Sequence, residues 1–206
     1  MSDTIAEPTE ETAFLDLHKK FVEENKPGSA LSSIHDSALN RFEMLGFPHS
    51  KHEMYTYVNT KKLAATVFAV SSSSIKADLV KEHIYSDCEN SCLVFVNGVL
   101  DRSLSRLQEI ESLVKISSLE EKSDTDTLLA SLENENDVFA CLANAFCSDV
   151  TVVEIPEKGQ VSVPIQVLFV STGDTSQPVM HSPRLLWKIG KLAEVKVIEK
   201  FVGMQE

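Results

Sequence analysis

The sequence predicts an α+β protein in which a helical N-terminal domain precedes a series of short strands. Two observations predict this class. Residues 12–45 hold two amphipathic segments, joined at Pro27-Gly28, whose apolar residues recur at helical spacing. After Asp149 the apolar residues instead alternate along short segments, and no regular helix separates those segments. Such strands predict the opening rungs of a β-solenoid, because a doubly wound sheet needs a helix between successive strands.

The N-terminal part divides into an arm and a set of helices. Residues 1–11 are acidic and polar, and we expect them to form a disordered arm. The two helical segments end at Pro27-Gly28 and at Gly46, which favours a hairpin of packed helices. Ile75–His83 predicts a third helix, so the helical domain is assigned to residues 12–90. The shared apolar faces consist of Phe14, Leu17 and Phe21 in the first helix and of Leu31, Ile34, Ala38, Phe42 and Leu45 in the second.

Strand and turn signals fill residues 91–206, which are assigned to the start of the solenoid core. Leu93–Val96 is a buried type of strand, and Asn97-Gly98 predicts a hairpin turn that returns through Val99-Leu100. Pro164 has no N–H to donate to a ladder and is expected at an edge or a bend. Further strands are predicted at Leu113–Ser117, Val161–Val170, Arg184–Ile189 and Ala193–Val197, and inserted helices are predicted at about 125–147.

The charge and hydropathy of the chain argue against two classes of partner. Its 206 residues include 19 basic and 31 acidic side chains, a formal net charge of −12, which repels the phosphate backbone of nucleic acids. The first residues have neither the basic nor the apolar region of a secretory signal. No apolar run approaches the roughly 18 residues that a membrane span requires. We therefore expect a cytoplasmic protein that binds neither nucleic acid nor membrane.

A histidine pair near residue 50 is the first candidate for chemistry. His49 and His52 are three residues apart and Glu53 follows them, which is compatible with a metal-dependent hydrolase. Zincins instead need the pattern H-E-x-x-H on a helix, whereas here the glutamate follows the second histidine. We therefore interpret the segment as a polar stretch that packs Tyr55 and Tyr57 against the helical hairpin.

The other candidate residues favour structural roles. His181 precedes Ser182, but neither an orienting acid nor a nucleophile elbow accompanies the pair. Glu120–Asp137 is expected to form a solvated acidic surface, since carboxylates alone would bind iron weakly. Four cysteines, at the spacings C-x3-C and C-x5-C, do not match a zinc ribbon and are expected to be free thiols. They are Cys88, Cys92, Cys141 and Cys147. No phosphate-binding glycine motif occurs, and no catalytic, cofactor or metal residue is assigned.

Four segments carry motifs of a known protein family. The first is Gly46–Asn59, with the sequence GFPHSKHEMYTYVN, and the second is Leu93–Ser105, which contains VFVNG and a trailing Leu-Ser. The third combines Phe139–Phe146 with the strand Val161–Leu168, and the fourth is the Pro-Arg-x-Leu pattern within His181–Leu186. In this order the four segments resemble the SufB/SufD family of iron–sulfur cluster assembly proteins.

The resemblance implies a fold and a function. It implies a helical N-terminal domain followed by the first rungs of a right-handed parallel β-helix. It implies a non-enzymatic scaffold subunit that acts with a SufB-like protein and a SufC-like ATPase. The SufD type fits better, because SufB has a longer N-terminal region and its own cysteine pattern. The family's SufC contact and assembly residues are implied to lie in a C-terminal half that this chain lacks. An iron–sulfur cluster and ATP are implied only for the full complex, and no cofactor is expected in this chain.

Two alternatives stay open beside this interpretation. One is a small metal-dependent hydrolase that uses His49, His52 and Glu53. The other is a stand-alone β-solenoid binding module. The family interpretation and the stand-alone module both predict a solenoid whose last strand has an unpaired edge. Self-association through that edge is therefore a further expectation.

Overall fold

The computed structural model describes residues 10–48, 53–70, 75–122, 137–173 and 177–205. The helices are α1 (Glu10–Asn25), α2 (Ser29–Leu45), α3 (Lys61–Ala64), α4 (Ala77–Lys81) and α5 (Val138–Ala145). The strands are β1 (Cys92–Val96), β2 (Val99–Leu100), β3 (Lys115–Ser118), β4 (Val150–Ile155), β5 (Ile165–Gly173), β6 (Arg184–Ile189) and β7 (Val197–Gln205). Short 3-10 turns cover Glu53–Tyr55, Ser86–Cys88 and Leu119–Glu121. Within these described ranges, no helix combines the length and the apolar character that crossing a bilayer demands.

Helices α1 and α2 form the predicted hairpin, and α5 packs against it. Apolar residues at helical spacing bring Phe14 and Phe21 of α1 together with Phe42 of α2 in one buried core. Helix α5 is apolar on nearly every side, and it buries Leu142 in the same core. This core contains residues of α1 and α2, which precede the predicted domain boundary at residue 90, and residues of α5, which follow it. The division into two domains at that residue stays a prediction.

The strands form two sheets, and successive strands along the chain alternate between the two sheets from β4 onward. One sheet has the strand order β2-β1-β5-β7 and the other has the order β3-β4-β6. The β1–β2 and β3–β4 pairs are antiparallel, whereas β1–β5, β5–β7 and β4–β6 are parallel. Val150 of β4 pairs with Arg184 of β6, and Ile165 of β5 pairs with Val197 of β7. The segment β4-β5 and the segment β6-β7 are therefore two successive passes over the same pair of sheets.

A second core lies between the two sheets, and an aromatic ladder runs from this core to the edge strand β7. Phe95, Phe169 and Phe201 occupy the same register position on β1, β5 and β7. Their ring centroids are 5.1 and 4.7 Å apart, and the last pair is stacked at 15°. Phe95 is buried, whereas Phe201 is 70% exposed because β7 is the edge strand of its sheet among the described residues.

Two local predictions are confirmed by the backbone. The turn Asn97-Gly98 joins β1 to β2, and both residues have positive φ, 50° and 90°, as a type I′ turn requires. The strand Arg184–Ile189 has the predicted bounds. These signals are local, and nothing elsewhere in the chain overrides them.

Several boundaries were predicted wrongly. The strand expected at Val161–Val170 begins only at Ile165, because Pro164 cannot donate to the ladder and the N–H of Val161 bonds to the carbonyl of Glu194 instead. The strand expected at Ala193–Val197 likewise begins at its last residue.

The predicted helices also differ at their ends. Helix α1 begins at Glu10, two residues before the predicted start, and α4 covers only part of Ile75–His83. The expected arm before residue 10 and the helix expected near residues 125–132 lie outside the described residues.

Candidate functional site

A cleft of about 750 Å³ lies where the motif-bearing segments meet. Its walls come from the C-terminal end of α1, the Asn97-Gly98 turn, residues 117–118 of β3, the segment between α5 and β4, and residues 180–182 before β6. Three of the four family-like segments thus reach one place in the fold. Sequence reasoning treated these segments separately, because their proximity depends on the pairing of β1, β4, β5 and β6.

The Asn97 side chain holds the hairpin turn to strand β5. Its amide Nδ2 donates to Oγ1 of Thr172 at 2.8 Å, and its Oδ1 accepts from the Thr172 backbone N–H at 2.8 Å. Gly98 brings the turn against the segment before β6, since a Cβ at this position would lie 3.4 Å from the backbone nitrogen of Ser182. His181 lies beside the carbonyl of Thr172, with Nε2 at 3.4 Å from that oxygen. The VFVNG and His-Ser-Pro-Arg motifs therefore act together to fix the geometry of one corner.

A second group of polar contacts fixes the opposite wall. The Ser118 hydroxyl donates to Asp149 at 2.6 Å, and the backbone N–H of Val150 donates to the same carboxylate at 2.7 Å. Ser118 also forms a capping box with Glu121 at the turn that follows β3. Arg102 donates from Nη2 to the carbonyl of Ile116 at 3.1 Å. The Ser118–Glu121 capping box is a local S-x-x-E signal that sequence reasoning missed. The partners Asp149 of Ser118 and Ile116 of Arg102 are instead distant in the chain.

The charged side chains of the cleft are mostly acidic. Burial lowers the pKa of His181, so this imidazole is neutral at neutral pH. Arg102 is the cation among the lining residues described, and carboxylates outnumber it. An acidic cleft of this kind disfavours anions such as phosphate. The lining carboxylates are Glu24, Asp101, Glu121 and Asp149.

The histidine pair near residue 50 lies outside the described residues, so the structure does not test the predicted metal arrangement. Glu53 is described and its side chain is exposed. Tyr55 packs against Phe139 of α5, with ring centroids 5.6 Å apart, and its hydroxyl donates to Asp137 at 2.5 Å. Tyr57 is fully exposed, so the prediction that it packs against the helices is wrong. Within the described ranges no group of three or more histidines, cysteines or acidic residues is arranged to hold a metal ion.

The four cysteines are free, as expected, and all four are buried. Burial raises the pKa of the Cys92 and Cys147 thiols to about 12, and it also raises the pKa of Cys88. These side chains are thiols rather than thiolates at neutral pH. They therefore pack as small apolar groups.

The acidic segment Glu120–Asp137 was expected to be a solvated surface. Glu120 and Glu121 at its start are exposed, as expected, whereas Asp137 at its end is partly buried. Glu120 lies at the start of α2, where its Oε1 is 3.4 Å from the backbone N–H of Leu31. Asp137 is the N-cap of α5 and accepts the backbone N–H groups of Phe139 and Ala140 at 2.9 and 3.0 Å. Both carboxylates satisfy helix N-termini, which carry a partial positive charge.

Comparison with known proteins identifies the family. The family described as SufBD protein N-terminal region matches residues 9–167, a range that includes most segments of the cleft. A relative from Synechocystis sp., named iron-sulfur cluster assembly SufBD family protein, is 27% identical over 180 residues, which are 84% of this chain. The chain spans 39% of the length of that relative. The chain belongs to the SufBD family, through its N-terminal region.

Proposed function

We propose that the chain is the N-terminal part of a SufD-like scaffold subunit that acts in iron–sulfur cluster assembly with SufB-like and SufC-like proteins. One observation carries this proposal. The family match covers residues 9–167, and within it the structure brings the VFVNG turn, the end of α5 and β4 to one cleft. The relative named for iron–sulfur cluster assembly aligns over 84% of the chain, which supports the same assignment.

The strand topology supports the β-helix that the resemblance implies. Strands β4 and β6 pair in parallel, as do β5 and β7, so equivalent strands lie one above the other in each sheet. A chain that repeats this path would build a solenoid whose rungs each contribute one strand to each sheet. The ladder of Phe95, Phe169 and Phe201 follows the stacking direction expected for such rungs.

The role proposed for this chain is structural rather than catalytic. Its polar residues in the cleft bind one another: Asn97 holds Thr172, and Asp149 holds Ser118. Its cysteines are buried, with raised thiol pKa values. No observation favours the alternative hydrolase, for which Glu53 would have to act together with His49 and His52.

The exposed edge of β7 supports the expected self-association. Strand β7 has nine residues, and Phe201 presents a largely exposed ring at its centre. A second copy of the chain could add its own β7 to this edge, because unpaired backbone groups and an apolar ring favour pairing with another strand. We propose that the isolated chain associates in this way.

A domain exchange tests the proposed function. The 180 aligned residues of the Synechocystis relative would be replaced by the matching part of this chain, and the chimera would be co-expressed with the SufB-like and SufC-like proteins of that organism. Recovery of both proteins with the tagged chimera is expected. A monodisperse chimera that recovers neither protein would contradict the proposal.

Two controls make this test specific. A chimera that carries an unrelated helical domain of similar size is expected to recover less of the partners. A chimera in which His49 and His52 are both replaced by alanine is expected to recover them unchanged, because the scaffold does not need a metal there. Zinc or iron bound in stoichiometric amount, and lost from the histidine variant, would support the hydrolase instead.

A further inference from the structure

Two buried histidines lie where the helical hairpin meets the rest of the molecule. His18 of α1 is 5% exposed and His35 of α2 is 1% exposed. Their rings are 5.9 Å apart, centroid to centroid, and nearly perpendicular at 87°. Phe21 and Phe146 complete the surroundings, with ring centroids 5.7 Å from His35 and 5.4 Å from His18 respectively. Neither histidine belongs to a family-like motif or to the cleft.

Each imidazole faces a carbonyl at the end of α5. Nε2 of His35 is 2.9 Å from the carbonyl oxygen of Cys147, and the carbonyl of Ala145 acts on His18 in the same manner. A carbonyl oxygen can only accept, so each ring nitrogen that faces one carries the proton. Ala145 and Cys147 lie just before β4 in the chain. These contacts therefore attach the hairpin to β4, the first strand of the pass β4-β5.

The remaining nitrogen of each ring is buried without a partner. Nε2 of His18 and Nδ1 of His35 make no hydrogen bond, and water does not reach them. In the neutral state each is a lone pair, which is tolerated at modest cost. Protonation would place an N–H donor and a positive charge at a site with no acceptor, and both changes are costly in an apolar environment.

The neighbouring charges do not offset this cost. The Asp36 carboxylate on α2 favours the charged form of both imidazoles, but burial outweighs it and lowers the pKa of His18 and of His35. His18 itself further disfavours a charge on His35. The Cys147 thiol, just after α5, also lies near this pair, with its sulfur 3.8 Å from Nε2 of His35. Burial raises the pKa of this thiol to about 12, so it carries no charge at neutral pH.

We propose that His18 and His35 form an acid-sensitive joint whose protonation releases the α1–α2 hairpin from α5 and β4 while the two sheets stay folded. The core between the sheets is a separate set of apolar side chains, and His18 and His35 are the buried histidines among the described residues. Both folded-state pKa values lie below the ordinary value of 6.5. Attachment of the hairpin is therefore complete above about pH 6.5 and is lost as the pH falls below that value.

Hydrogen exchange followed by mass spectrometry tests the joint in the whole chain. Protection factors would be compared at about pH 7.5 and about pH 5, after correction for the intrinsic exchange rate. Amides of α1, α2 and α5 are expected to lose protection at the lower pH, because protonation of the two imidazoles favours the released hairpin. Amides of β5 at residues 166–169 are expected to keep their protection, since they lie away from Thr172, which His181 contacts.

The matched variant is H18Q/H35Q. A glutamine amide does not titrate, and it can still donate to the carbonyl of Ala145 from position 18 and to that of Cys147 from position 35. This variant is expected to keep hairpin protection at both pH values. Replacement of His83, which is partly exposed and lies outside this core, by glutamine is expected to leave the wild-type response unchanged.

Three results would overturn the proposal. They are a hairpin whose protection does not change with pH, a loss of protection in β5 equal to that of the hairpin, and a double variant as acid-sensitive as the wild type. Should the double variant fail to fold, titration of the imidazole Cε1–H signals of the wild-type chain by NMR decides the matter. The Cε1–H signals of His18 and His35 are expected to titrate below pH 6.5, over the same pH range in which the hairpin amide signals change. Titration of both imidazoles at the ordinary value of 6.5, without a change in the hairpin amides, would refute the proposal.

Discussion

Gln166 is a fully buried polar residue near the start of β5, and its replacement by methionine is expected to destabilise the fold. Its Oε1 accepts the backbone N–H of Tyr85 at 2.8 Å, and its Nε2 donates to the carbonyl of His83 at 2.8 Å. The amide thereby attaches the segment after α4 to the sheet. Methionine has a similar length and volume, so the variant removes the two hydrogen bonds without opening a large cavity.

The expected cost follows from the groups that are left behind. The carbonyl of His83 keeps a second donor, Nζ of Lys200 at 3.2 Å, whereas the N–H of Tyr85 would lose its side-chain acceptor. A fully buried donor without a partner costs about 1–3 kcal/mol, and the N–H of Tyr85 is partly buried. We therefore expect a loss of about 1–2 kcal/mol in the free energy of unfolding, which in a chain of this length lowers Tm by about 2–8 °C.

Urea and thermal unfolding followed by circular dichroism would measure this loss. The matched control is Gln160→Met, because Gln160 is exposed and makes a single long contact of 3.4 Å with the carbonyl of Leu192. That control is expected to change stability by less than about 0.5 kcal/mol. If Gln166→Met is no less stable than the control, the buried amide does not stabilise the fold and the reasoning is refuted.

Four further predictions address other parts of the molecule. The pKa of Tyr55, raised to about 12 by its hydrogen bond to Asp137, is expected to fall toward its ordinary value in Asp137→Asn, as measured by the ultraviolet absorbance of the phenolate. The Cys147 thiol is expected to resist alkylation at about pH 8 until the chain unfolds, because burial raises its pKa. Phe42→Ala is expected to lower the free energy of unfolding by about 3–5 kcal/mol, because it empties a fully buried site. Phe201→Lys is expected to shift the chain toward the monomer in light scattering, because it places a charge on the exposed β7 edge.

Each of these has a result that contradicts it. A phenol titration that does not respond to the aspartate change would disprove the hydrogen bond as its cause. Rapid labelling of the native thiol would show that the site is open to solvent. For Phe42, the comparison is Met44→Ala, on the same helix and 82% exposed, which is expected to be nearly neutral. A chain that is monomeric before Phe201 is replaced would refute the proposed association through β7.

The signals that the sequence carries reliably are short-range ones. The apolar spacing of Phe14 and Phe21 predicts α1, and the Asn97-Gly98 pair predicts the hairpin, because each depends on residues within a few positions of one another. The strand Arg184–Ile189 follows a proline and has the expected bounds for the same reason. Where a distant segment supplies the hydrogen bonds, as Glu194 does for Val161, the predicted strand start is wrong.

The amino-acid sequence by itself determined the helical hairpin, the β1–β2 turn and the family to which the chain belongs, since periodicity, turn chemistry and motif order are all written along the chain. Only the tertiary structure decided that β4 pairs with β6 and β5 with β7, and that Gln166 attaches the segment after α4 to the sheet. It also decided that His18 and His35 face backbone carbonyls at the C-terminal end of α5. The physical reason is that these contacts join residues far apart in sequence. A side chain's role is then set by the burial and the hydrogen-bond partners that folding gives it, and neither is visible in its local spacing.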